Sequence, residues 1–74
     1  MDIGGALAAH EDRIMATPGV VGVGVGEEAG RPAIVVFVEA LTPDNASPEK
    51  LGLPASVEGH PLVVREIGTV TAHA

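Results

Sequence analysis

The sequence predicts a small α+β domain, with one N-terminal helix packed on a mainly antiparallel sheet in the order α-β-β-loop-β-β. Three observations carry that reading. Apolar residues recur at helical spacing near the start, two strand-like runs flank a short polar turn, and a proline-rich stretch leads into a second pair of strand-like runs. At 74 residues the chain has room for a single domain, residues 1–74.

Residues 3–16 read as the helix. Ile3, Leu7, Ile14 and Met15, with Ala6 between them, fall near one face, and His10, Glu11, Asp12 and Arg13 form a polar patch. Asp2 is the candidate N-cap and Pro18-Gly19 closes the segment, while Gly4-Gly5 weakens the first turn. Residues 19–26 read as a strand in which Val21, Val23 and Val25 point one way and Gly22, Gly24 and Gly26 the other. Glu27-Glu28-Ala29-Gly30-Arg31-Pro32 is a polar turn ahead of a second strand over 33–40, whose Ala33-Ile34-Val35-Val36-Phe37-Val38 run is apolar on both faces. The two strands make a hairpin.

Residues 41–56 carry Pro43, Pro48 and Pro54 among Asp44, Asn45, Ser47, Glu49 and Lys50, which makes a loop with one short helical turn near 47–51. Ser56-Val57-Glu58 then reads as a short strand, Gly59-His60-Pro61 as a turn and Leu62-Val63-Val64-Arg65-Glu66-Ile67 as a longer strand. The tail 68–74 is expected to add a few extended residues.

Composition excludes several classes of function. Four Lys+Arg against ten Asp+Glu give a net charge of -6, and Phe37 is the one aromatic side chain. Such a chain lacks the basic stripe and stacking platforms that nucleic acid requires, and an anionic membrane surface repels it. The absence of Cys removes disulfides, thiolate metal sites and a thiol nucleophile. Hydrophobic residues at 46% against 19% charged place the chain among globular domains rather than disordered ones. The core must be built from Val, Ile, Leu and Ala, and a domain this small often supplements its core with a metal or a second copy. The start has no positive n-region, and the apolar run over 33–38 is far short of the roughly 18 residues of a membrane span. A cytoplasmic location is the expectation.

Motifs for chemistry are sparse. Gly24-Val25-Gly26-Glu27-Glu28-Ala29 formally matches a loose dinucleotide fingerprint, but another strand follows where a helix N-terminus is required, and two glutamates occupy the anion position. Glycines along one strand face more simply let a neighbouring backbone or helix approach closely. His10, Glu11 and Asp12 are adjacent and so do not share a helix face, and no two histidines lie at i, i+3 or i+4. The alternative function is a small cation- or metal-binding protein whose site is assembled in space, or shared between subunits, from His10, His60 and His73 with nearby acids. Asp44, Asn45 and Glu49 lack the spacing of a calcium loop. Ser47, His60 and Asp44 can be written as a triad, but neither Ser47 nor Ser56 sits in a nucleophile elbow. Glu27-Glu28 lies at a solvated turn, and Arg65-Glu66 and Arg31 beside Glu28 read as solvated charge pairs. No catalytic residue and no cofactor are expected.

The apolar character of the second strand on both faces points to an interface instead, because one helix covers only one face of a sheet. Ile34, Val36, Val38 and Val63 are the candidate interface residues, the sequence leaving open which parity of the second strand faces the helix, with another copy or a protein partner as the occupant. Edge pairing by residues 22–26 is a second route. The competing expectation is that the long loop and the C-terminal tail fold back over the face.

The run Pro18-Gly19-Val20-Val21-Gly22-Val23-Gly24-Val25-Gly26, then Ala33-Ile34-Val35-Val36-Phe37-Val38, then Leu53-Pro54-Ala55-Ser56-Val57-Glu58-Gly59-His60-Pro61-Leu62-Val63-Val64 resembles a bacterial domain family of unknown function. That family lies N-terminal to some trypsin-like serine peptidase domains, and the resemblance spans residues 12–68. Its motifs are short, apolar and glycine-rich. The resemblance implies that catalysis belongs to the downstream peptidase domain. This sequence has no glycine-aspartate-serine-glycine motif, so no catalytic residue carries over. It implies a stand-alone accessory module, an interaction or assembly unit rather than a protease.

Overall fold

The computed structural model describes residues 2–67. Helix α1 spans Ile3–Met15, strand β1 Val20–Glu28, β2 Arg31–Val38, β3 Ser56–Val57 and β4 His60–Glu66, with a 3-10 turn at Pro48–Leu51. The expected helix packed on a small sheet is therefore present. The expected extension of the sheet into residues 68–74 lies outside the described residues.

The sheet order is β1-β2-β4-β3. β1 pairs with β2 and β3 with β4 antiparallel, whereas β2 and β4 run parallel, so the sheet is mixed with a parallel pair at its centre. Parallel neighbours need a crossover of a dozen or more residues. Residues 39–59 supply it, which explains the length of the proline-rich stretch.

Both antiparallel connections are tighter than the sequence suggests. The expected six-residue turn over 27–32 contracts to Ala29-Gly30, with φ of 55° and 80°, and the strands continue to Glu28 and from Arg31. Glu58-Gly59, at φ 50° and 83°, does the same between β3 and β4, so His60 and Pro61 belong to the strand and not to the turn. Positive φ at both central residues is the hairpin geometry whose twist matches the flanking strands. Pro32 is tolerated within β2 because β4 pairs only with residues 34–38, so its missing N–H falls where β2 has a single neighbour.

Helix α1 begins where Asp2 Oδ1 accepts a hydrogen bond from Gly5 N at 2.7 Å, the expected cap. Its buried face carries Ala6 and Ile14, with Ile3 and Leu7 packed alongside; Met15, expected on that face, is exposed. Ile34 and Val36 of β2, Leu62 of β4, Val57 of β3 and Leu53 of the crossover complete the core, flanked by Val20, Val23, Leu51 and Val64. The crossover is held by its own polar side chains. Asn45 Oδ1 accepts from Thr42 N at 2.8 Å, its Nδ2 donates to Ala40 O at 3.0 Å, and Lys50 Nζ donates to Pro43 O at 2.7 Å. Leu51 and Leu53 carry the crossover into the core on the helix side.

Candidate interaction surface

Register assigns every sheet residue to a face. Val23 pairs with Val36, Val25 with Ile34, Ile34 with Leu62 and Val36 with Val64, all on the side of α1. The far side receives Gly22 opposite Phe37, Gly24 opposite Val35, Gly26 opposite Ala33, and the β4 partners Val63 and Arg65. Ile34, Val36 and Val38 are 0%, 0% and 1% exposed, so three of the four expected interface residues belong to the chain's own interior. That expectation is corrected. The run is apolar on both faces, and the even-numbered residues are the set that the helix covers. Val63 alone of the four lies on the far face, half-buried beside Val35.

The glycines do not admit a helix or a backbone, as one reading of the sequence expects. They admit side chains from β2. A Cβ at Gly22 would stand 3.7 Å from the Phe37 Cβ and ring, and one at Gly24 would stand 3.8 Å from Phe37 Cε2, so the ring lies down over these two positions. A Cβ at Gly26 would come within 2.7 Å of Val35 Cγ2, and Val35 is buried against it. The far face is thus partly filled by its own residues reclining onto a strand that has no side chains there.

Arg65 adds a strap. Its Nη2 donates to Glu27 O at 3.1 Å and lies 3.5 Å from Glu28 Oε1. Arg65 pairs with Phe37, whereas Glu27 pairs with Pro32, five residues away along β2. On a flat sheet that offset is about 16 Å, beyond the reach of one side chain. The hairpin tip must therefore curl toward the far face. The expected ion pairs of Arg31 with Glu28 and of Arg65 with Glu66 are replaced by this one, and Glu66 Oε1 instead accepts from Leu41 N at 3.1 Å.

The outer side of β1 is the second component. β1 has β2 on one side and no strand on the other among the described residues, over nine residues; the opposite edge is the two-residue β3. Val21 is the extra residue of a bulge between the pairs Val20–Val38 and Gly22–Phe37. Val21 and Val25 are 46% and 53% exposed. Sequence reasoning makes this strand only a secondary route. The Val-Gly alternation signals it, but nothing local indicates that a strand will end at the margin of a sheet.

The residues considered for metal binding are only partly brought together. His10 Nε2 lies 3.5 Å from Glu58 Oε2, and His60 follows two residues later, paired with Val57. No group of three potential ligands forms among the described residues, and His73 lies outside them. No pocket opens among the described residues around Ser47, Asp44 and His60 or elsewhere. No helix among them is long and apolar enough to cross a membrane. Compared with protein-family models, curated proteins and solved structures, the chain matches none of them.

Proposed function

We propose that this chain is a non-catalytic interaction module that associates through the outer edge of β1 and the sheet face behind it. The observation that carries this reading is the nine-residue edge strand, which has no strand on its outer side among the described residues and carries two half-exposed valines. An unpaired row of backbone N–H and C=O groups is a template for another strand, and proteins that must stay apart usually blunt such an edge with Lys, Pro or a very short strand. β3 is blunted by its length. β1 has neither Pro nor Lys, and its acidic residues, Glu27 and Glu28, sit at one end beside Arg65.

The partner is another copy or a protein that donates a strand, and no cofactor enters the reading. Light scattering after size exclusion, over a hundredfold range of concentration, tests it. A mass above that of one chain, rising with concentration or constant, is the expected result. A single-chain mass at every concentration overturns self-association at this surface.

A further inference from the structure

Resting on that reading, we propose that the occupant of the β1 edge is a second copy of the same strand, paired antiparallel about a twofold axis at Val23. Two observations select this occupant and this register. The first is the charge pattern. Residues 20–26 carry no charge, and Glu27-Glu28 follow at one end only. Parallel pairing of two copies would set glutamate against glutamate, which is destabilising for directly opposed like charges. Antiparallel pairing sends the two acidic ends apart, each beside its own Arg65.

The second is self-complementarity. Val21-Gly22-Val23-Gly24-Val25 reads the same in both directions about Val23. Centred there, antiparallel pairing sets Val21 opposite Val25 of the second copy and Gly22 opposite its Gly24. The two half-exposed valines then cover each other twice across the seam. Shifting the centre one residue to Gly24, about which residues 22–26 are also symmetric, would oppose Val21 with Glu27 and leave only Val25 with a valine, Val23, opposite it. On the far face the paired glycines add no side chains, so the Phe37 ring of each copy, lying over its own Gly22 and Gly24, borders a shallow apolar trough that continues across the seam. A twofold, self-complementary contact of this kind closes at two copies.

The absence of Cys makes the test direct, since one introduced thiol is unique. V21C and V25C chains, one isotopically labelled, are mixed under mild oxidation and the disulfide species are resolved by mass. Directly opposed residues have Cα atoms about 4.5–5.5 Å apart, within disulfide range. The two thiols of a V21C pair would be offset by about 13 Å along the strands, outside that range. The expected result is a mixed disulfide between the V21C and V25C chains at least severalfold more abundant than either like-with-like product, together with monomeric V25K of unchanged circular dichroism. A dimer that yields no mixed disulfide, or one whose mass V25K leaves unchanged, overturns this pairing while the broader reading of an associating surface stands. A strict monomer overturns this pairing and self-association together, and leaves a different strand-donating protein as the partner of the surface.

Discussion

The missing side chain at Gly26 decides how Val35 sits. With the Cβ position 2.7 Å from a buried, β-branched neighbour, alanine there forces either the strand or Val35 to move. G26A is expected to cost about 1–3 kcal/mol, the usual range for overpacking. At Gly24 the nearest atom to a new Cβ is 3.8 Å away, ordinary contact distance, so G24A is expected to be neutral or to stabilise by up to ~1 kcal/mol through lost chain freedom. Urea unfolding of the two variants beside the parent checks the contrast, and equal losses at both positions would mean that the reclining packing is wrong. At this scale the sequence is half legible. Alternation of Val and Gly along β1 is plain, but the parity of β2 is not, because Ile34 and Val36 are matched by Val35 and Phe37 on the other side. Register with Val23 resolves it, and register is a tertiary property.

Among the elements, the helix is the most legible because its signals are local: apolar spacing, the Asp2 cap and the Pro18-Gly19 stop. D2A is expected to cost about 1 kcal/mol, since the cap contact to Gly5 N is short and the two glycines behind it nucleate helix poorly. A fall in thermal midpoint of several degrees, with the folded-state spectrum retained, is the corresponding observation for a domain of this size. The turns are less legible. Asn-Gly or Asp-Gly would have announced two-residue connections, but Ala29-Gly30 and Glu58-Gly59 place a residue with a Cβ at positive φ. That conformation costs roughly 1–2 kcal/mol for an L-residue. A29N, which tolerates it better, is therefore expected to raise the urea midpoint, and no gain would argue against the tight turn.

For the whole molecule, the class and order of elements can be read from the chain, while the sheet's neighbours cannot. Nothing between Val38 and His60 says that β4 inserts beside β2 rather than at a margin, because that choice is made by the long-range packing of Leu62 and Val64 into the core with Ile34, Val36, Leu53 and Val57. The same arrangement leaves β1 with no strand on one side among the described residues, and so links the topology to the proposed association. It also sets an order of events in time. Four residues separate α1 from β1 and two separate β1 from β2, so those contacts close with little loss of chain entropy. β4 can dock only after residues 39–59 have been gathered into a loop, and the transition state for folding should therefore contain the hairpin and helix before the parallel pair. Truncating Val23 to alanine then slows refolding, whereas L62A chiefly speeds unfolding, a division that stopped-flow kinetics in urea would display as opposite arms of the chevron moving. In the interval before β4 arrives, β2 has a free side as well as β1, so the protein is most exposed to mispairing during folding itself rather than in its finished state.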